Sequence, residues 1–263
     1  KPTALIGVAE KGYASFELSV DISGGHSSIP SKENAITILS KAITKLNEQQ
    51  MKPKLVETVK DFFQYIGPEM GLVNRVIFSN IWLFEPIVIN IFGKSPAGNA
   101  TTRTTTAITI FKSGIKDNVV PTEAKAIVNF RILPDQTSKD VDVHLLKTIG
   151  DERINVNVTD WVNEAPPVSK IDSLGYKMLE RTVRQVFNDT IVAPSMVLAG
   201  TDSKHYVKIS KDIYRFLPIK LQSEDLSRIH GIDERISIDN YYECINFYYF
   251  LKLLFTIVLD CLI

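Results

Sequence analysis

Apolar positions along this chain repeat at two periods. From Lys11 to Ile22 they alternate: Tyr13, Phe16, Leu18, Val20 and Ile22 are apolar, with Glu17, Ser19 and Asp21 between most of them. That period predicts a half-buried strand. Beyond the turn Ser23-Gly24-Gly25-His26-Ser27-Ser28-Ile29-Pro30, Ser31 and Asn34 lead into Ala35, Ile36, Ile38, Leu39, Ala42, Ile43 and Leu46 at helical spacing. Thr102 to Lys112 reads as a strand, Ser113 to Asn118 as a hairpin-like turn, and Ala124, Ala126, Val128, Phe130 and Ile132 as a second alternating strand. Gln136 to Ile149 is helical by period and Arg153 to Val158 a short strand. From Ser15 to Val158 the order is strand, helix, insertion, strand, strand, helix, strand. This is the ferredoxin-like βαββαβ order, which implies an antiparallel sheet with helices on one face.

The insertion, about 51–98, is rich in large apolar residues and is cut into short pieces by prolines at 53, 68, 86 and 96. It reads as a helical insertion packed on its own domain, or as a lining for a greasy substrate. After Pro166-Pro167-Val168 the pattern changes again. Ser173 to Phe187 predicts an amphipathic helix with Leu174, Met178, Leu179, Val183 and Val186 inward. Ile191 to Leu198 and Asp212 to Leu217 predict strands, and Ser237 to Leu259 a very apolar helix interrupted by Lys252. A helix so apolar needs a protein partner on most sides; a membrane anchor is the lesser alternative, and a bilayer is not otherwise expected as a partner.

Length suggests two domains. Hydrophobic residues make 44% and charged residues 23% of the chain, which excludes the disordered and fibrous classes. A formal net charge of zero argues against nucleic acid as a partner. Cys244 and Cys261 alone make no disulfide framework and no zinc-finger spacing. Asn99, Asn157 and Asn188 begin Asn-x-Ser/Thr triplets that would permit glycosylation in a secretory compartment.

Chemistry concentrates in a few short runs. In Arg228-Ile229-His230-Gly231-Ile232-Asp233-Glu234-Arg235, His230 is either a metal ligand or a histidine in a salt-bridged turn. His26 follows a glycine pair that permits a positive-φ turn. These runs, together with Asn118-Val119-Val120-Pro121, Asn129-Phe130-Arg131-Ile132 and Gly200-Thr201-Asp202-Ser203, resemble peptidase family M20, the metal-dependent amidohydrolases and exopeptidases. Trp82-Leu83-Phe84-Glu85-Pro86, Arg103-Thr104-Thr105-Thr106-Ala107 and Ile213-Tyr214-Arg215-Phe216 are similar to its branch of carboxypeptidase S and N-fatty-acyl-amino-acid hydrolases. The final residues, from about Thr256, do not resemble the family.

The resemblance implies a fold and a division of labour. Residues 11–163 would form a ferredoxin-like lid or dimerisation domain. Residues 1–10 and 164–263 would belong to an α/β zinc-exopeptidase-like catalytic domain. His230 corresponds to the last ligand of a two-zinc site, where zinc acidifies a bound water. His26 would be the catalytic lid histidine that stabilises the oxyanion, often in a neighbouring subunit of a homodimer. Arg131 would grip the substrate carboxylate by two parallel hydrogen bonds; the alternative is a strand arginine paired with an acid. Asn118, Thr201, Asp202 and Ser203 would bind substrate, with ordinary turn and capping chemistry as the alternative.

The family's remaining zinc ligands come from a His-x-Asp, a bridging Asp, a Glu-Glu pair and another acid. This chain contains no His-x-Asp and no Glu-Glu. The expectation is therefore the C-terminal part of a zinc-dependent hydrolase of N-acyl amino acids or C-terminal peptide bonds. Alone it would be inactive, and it would carry apolar surface that the other half covers. A secreted, lumenal or vacuolar location follows from the branch and the sequons. The competing expectation is a non-catalytic relative used for dimerisation or ligand capture.

Overall fold

The computed structural model describes residues 1–222, 224–225 and 228–260. Strands β1 (Thr3–Glu10), β2 (Gly12–Asp21) and β3 (Gly25–His26) come first, followed by helix α1 (Ala35–Glu48). The insertion folds as α2 (Glu57–Ile66), α3 (Leu72–Ser79), α4 (Ile81–Phe92) and α5 (Pro96–Thr102). Then come β4 (Thr105–Ser113), β5 (Val119–Val120), β6 (Glu123–Ile132), α6 (Ser138–Ile149) and β7 (Ile154–Asn163). The chain closes with α7 (Leu174–Val186), β8 (Ile191–Val197) and α8 (Ile238–Asp260).

The four-stranded antiparallel sheet has the order β4-β6-β2-β7, which is the ferredoxin-like arrangement. Alternation sends Ala14, Phe16, Leu18 and Val20 of β2, with Ala124, Ala126, Val128, Phe130 and Ile132 of β6, to one buried face. Helix α1 covers that face with Ala35, Ile38, Leu39, Ala42 and Leu46, and α6 with Val141, Leu145 and Ile149. Phe16 and Phe130 meet edge to face at 5.8 Å. Helix α1 starts where the sequence asks. Asn34 Oδ1 accepts from the Thr37 N–H at 3.0 Å, and Thr37 Oγ1 accepts from the Asn34 N–H at 2.9 Å. This reciprocal cap satisfies two otherwise orphaned donors. The same alternation puts Tyr13, Glu17, Lys125, Asn129 and Arg131 on the opposite, half-buried face.

The insertion is organised around Phe63, which stacks on Phe78 at 4.5 Å and meets Phe92 edge-on at 5.0 Å. Its core of Leu55, Val56, Val59, Phe63, Ile81 and Val88 also takes in Leu133, just past β6, and Met196 of β8. The insertion thus joins the four-stranded sheet to the β1–β8 pair, rather than packing on its own domain as the proline-cut sequence suggests. Trp82 on α4 is 78% exposed. Among the described residues no single helix is long and apolar enough to cross a membrane.

The third core joins β1 and β8, which pair in parallel, to α7 and α8 through Ile6, Val8, Val192, Tyr176, Val183 and Phe247. Beside it lies a groove of about 620 Å³ lined by Leu5, Phe187, Phe216, Leu217 and Ile219. Helix α8 leaves Tyr241, Tyr242, Ile245, Tyr249 and Leu253 exposed. Both are the uncovered apolar surface that the sequence predicts for this part.

Several elements differ from expectation. Asp212 to Leu217 makes only an isolated bridge, Gly7 with Arg215, and not a strand. A strand needs a run of partners, and beyond that bridge the segment's hydrogen bonds go elsewhere: Ser169 Oγ donates to Ile213 O, and Lys170 N–H to the Asp212 carboxylate. Strand β4 begins at Thr105 because Thr102 closes α5, its hydroxyl donating to Gly98 O at 3.2 Å. Leu174 is 53% exposed, and Tyr176 takes the inward place. The Gly24-Gly25 pair does not use positive φ; among the described glycines only Gly114 and Gly150 do. Gly24 is required for room, since a Cβ there would lie 2.7 Å from Val120 O and 2.8 Å from Thr122 Cγ2.

Candidate functional site

Strand β1 ends on Glu10 and β2 begins on Gly12, so Glu10 and Lys11 form the joint between the two sheets, and both are 2% exposed. Glu10 gathers the loop after β8. Its Oε1 accepts from the Thr201 N–H at 2.9 Å. Its Oε2 accepts from the Thr201 hydroxyl at 2.5 Å, the Ser203 hydroxyl at 2.9 Å and Arg215 Nε at 2.8 Å. Burial pushes the Glu10 carboxyl up, but the Thr201, Ser203 and Arg215 donors outweigh it and hold it below the ordinary range. The Arg215 side chain is only 7% exposed, and its Nη2 has no partner among the described residues.

Lys11 turns the other way. Its Nζ donates to Ala100 O at 2.9 Å and Arg103 O at 2.7 Å, where α5 ends. Burial, aided by the positive charge of Arg131, pushes its ammonium down to about 7. Arg131 sits over the Tyr13 ring, 4.9 Å from its centroid. A Cβ built on Gly200 would lie 3.9 Å from Arg131 Nη1 and 4.0 Å from Glu10 Oε1, so both reach the Gly200–Ser203 loop. Among the described residues no acid pairs with Arg131. The strand-arginine alternative, with its cross-sheet acid, is not what the fold builds.

Three of the seven residues singled out by sequence, Arg131, Thr201 and Ser203, therefore share one neighbourhood, with Asp202 between them and exposed. The hydroxyls of Thr201 and Ser203 face Glu10. Thr201 Oγ1 also accepts from the Ser203 N–H at 3.3 Å, which caps the short 3-10 turn Asp202–Tyr206.

His26 and Asn118 form a second group. His26 lies in β3 opposite Val119 of β5, and Ser27 N–H donates to Asn118 O at 3.3 Å. His26 Nδ1 accepts from the Ser28 N–H at 3.1 Å. The ring proton is then on Nε2, which makes the exposed side of the imidazole a hydrogen-bond donor. This group lies at the far end of the sheet: Glu123 to Arg131 alone covers about 26 Å at ~3.3 Å per residue, and His26 lies beyond Glu123.

His230 stands apart in an exposed turn. Its φ is +59° and that of Asp233 is +66°, and its N–H donates to Glu234 Oε2 at 3.2 Å. No group of three or more His, Cys, Asp or Glu able to hold a metal occurs among the described residues. Zinc generally takes at least three protein ligands. The residues present do not fit a two-zinc site by themselves.

Sequence reasoning missed Glu10 and Lys11, and it gave no role to Arg215, which it noted only within the Ile213–Phe216 run. A signal existed in two places: a charged pair between two apolar strands, and an arginine between the aromatics Tyr214 and Phe216. His144 on α6 is half-buried, with Nε2 enclosed and without a partner among the described residues.

Comparison with known proteins gives these residues a context. Residues 8–156 match the family model described as "Peptidase dimerisation domain". The chain is 43% identical over 251 residues to "Probable carboxypeptidase S-like 2" of Dictyostelium discoideum, covering 95% of this chain and 48% of that protein. It is 41% identical over 251 residues to the N-fatty-acyl-amino acid synthase/hydrolase PM20D1 of Homo sapiens, covering 94% and 50%. The chain thus spans about half the length of these relatives. Among solved structures, the M20 family metallo-carboxypeptidase Sso-CP2 from Sulfolobus solfataricus aligns with a TM-score of 0.60 at 20% identity, covering 95% of this chain and 64% of that one. Human carnosine dipeptidase 1 aligns at 0.57 and 14%, covering 95% and 56%. At these identities the structures support the fold alone.

Proposed function

Because this chain belongs to the M20 peptidases, whose dimerisation domain accounts for residues 8–156, we propose that it is part of a zinc-dependent hydrolase of amide bonds in N-acyl amino acids or of C-terminal peptide bonds. The observation that carries this reading is Arg131: a guanidinium stacked on Tyr13, beside the Gly200–Ser203 loop, with no acid of its own. A free carboxylate is common to an N-acyl amino acid and a C-terminal residue, and a planar guanidinium holds one by two parallel bonds. The relatives named for N-fatty-acyl-amino acid and carboxypeptidase S chemistry support both substrate classes.

In this reading His26 donates from Nε2 to the oxygen of the scissile carbonyl as charge develops on it. Its distance from Arg131 within one chain favours a homodimer, in which His26 serves the cleft of the second copy. His230 would supply one zinc ligand, and the others lie outside this chain. The 263 residues alone are then expected to show no turnover. Exposed Asn157 and Asn188 support a secreted or lumenal protein, and a glycosidase-sensitive mass shift on secretion checks it.

The test uses the chain extended upstream through the rest of the catalytic domain. It should release free amino acid from an N-fatty-acyl amino acid in a chelator-sensitive way, and Arg131→Lys should raise KM at least tenfold. Failure to release an amino acid from either an acyl amino acid or a C-terminal peptide bond would overturn the reading in favour of a non-catalytic binding relative.

A further inference from the structure

Arg131 belongs to the four-stranded sheet, whereas the Gly200–Ser203 loop follows β8, so something must hold the two in register. The geometry points to Glu10 and Arg215 as a positioning pair that fixes the Gly200–Ser203 loop beside Arg131 and leaves Asp202 as the loop side chain offered to a substrate. That last role rests on the function proposed above; the loop-holding role does not.

Four donors converge on the Glu10 carboxylate, and they come from two separate segments: Thr201 N–H, Thr201 Oγ1 and Ser203 Oγ from the loop, and Arg215 Nε from the bridge to β1. Arg215 Nε also reaches Ser203 Oγ at 2.8 Å, and its Nη1 donates to Ile213 O at 3.1 Å. The main chain locks Arg215 as well: Gly7 N–H donates to Arg215 O at 2.8 Å, and Arg215 N–H to Gly7 O at 2.9 Å. Gly7 must be glycine for that approach, since a Cβ would lie 2.8 Å from Val197 Cγ2 and 3.0 Å from Arg215 Cβ. With both hydroxyls committed to a buried acid, a substrate entering beside Arg131 meets the loop backbone and Asp202. Glu10 also ends the strand whose next residue, Lys11, is bound to the carbonyls closing α5. The loop is therefore referenced to the joint that carries Arg131's sheet. Neither Glu10 nor Arg215 need touch the reacting atoms.

Breaking one partner would leave a buried charge unpaired and threaten the fold, so the informative variant removes both. Glu10→Met with Arg215→Met keeps bulk and removes the buried charges. In the 263-residue chain this double variant should melt within a few degrees of the parent. Its Thr201 amide should exchange with deuterium at least tenfold faster, and trypsin should cut sooner at Lys204 and Lys208. In the upstream-extended enzyme the same variant should raise KM for an N-acyl amino acid about tenfold, with a smaller change in kcat. Unchanged Thr201 exchange in a folded double variant overturns the positioning role. Faster exchange with unchanged KM overturns the substrate-facing role of Asp202's loop. If the parent extended enzyme turns over nothing, the functional reading fails while the exchange result still decides the loop.

Discussion

Replacing Lys11 by Met should remove a pH dependence of stability that this one ammonium imposes. Lys11 is buried beside Arg131 and its pKa is pushed down to about 7, against roughly 10.4 in an unfolded chain. Between those values the unfolded state binds the proton and the folded state does not, so stability rises with pH through that window. Below pH 7 both states are protonated, and the full cost of burying the charge is present. The slope approaches about 1.4 kcal/mol per pH unit. Integrated from pH 7 to 9, Lys11 alone adds about 2 kcal/mol. The carbonyls of Ala100 and Arg103 and the fixed charge of Arg131 do not titrate in this range, and Cys244, whose thiol is pushed up by burial, is common to both proteins. Urea unfolding of the parent and Lys11→Met at pH 7, 8 and 9 therefore reads Lys11 as a difference between two curves. The parent should gain about 2 kcal/mol relative to the variant. Parallel curves would refute the claim that a charged Lys11 is buried against Arg131.

Three substitutions probe other parts of the argument. Gly24→Ala puts a methyl 2.7 Å from Val120 O; it should cost roughly 1–3 kcal/mol and expose the Ser27 amide to exchange, because β3 and β5 separate. Phe63→Ala empties the centre of the insertion; about 3–5 kcal/mol should be lost in chemical denaturation, with faster exchange in β8 as well as in α2. Asn34→Ala removes the reciprocal cap of α1 and should lower the unfolding free energy by about 1 kcal/mol, with restoration by Asn34→Asp.

The βαββαβ part was legible because both periods are clean there. Phe16, Leu18 and Val20 alternate against Ala126, Val128 and Phe130, and a one-residue slip would turn that whole set to the other face. Helix α1 announced its start through Asn34. Sequence was less informative wherever tertiary context overrode pattern. Nothing in the spacing of Leu55, Val59 and Phe63 says that their cluster also takes Met196 from β8. Leu174, expected inward, is exposed, and Tyr176, which the pattern did not single out, is fully buried.

The candidate site was legible in its motifs and illegible in its scaffold, for a physical reason. Thr201, Asp202, Ser203, His26, Asn118 and His230 lie in runs of glycine, asparagine and charge, which attract notice as turns, and Arg131 stands out as a charge at the end of an alternating strand. Glu10 and Lys11 lie between apolar strands, where a charge reads as a solvated interruption. In the fold they are two of the most enclosed charged residues, and each faces a different segment: Glu10 the loop after β8, Lys11 the end of α5. Burying two charges costs more than it returns unless every lone pair and proton finds a partner. The sequence supplies those partners from nearly two hundred residues away, at Thr201, Ser203 and Arg215 for Glu10 and about ninety away for Lys11. Such long-range satisfaction leaves no local pattern. It follows that the joint between the two sheets is specified by buried polar bonds, an ion pair at Glu10 and two carbonyl acceptors at Lys11, rather than by turn chemistry, and that disturbing Glu10 or Lys11 should change how the sheets meet before it changes either sheet.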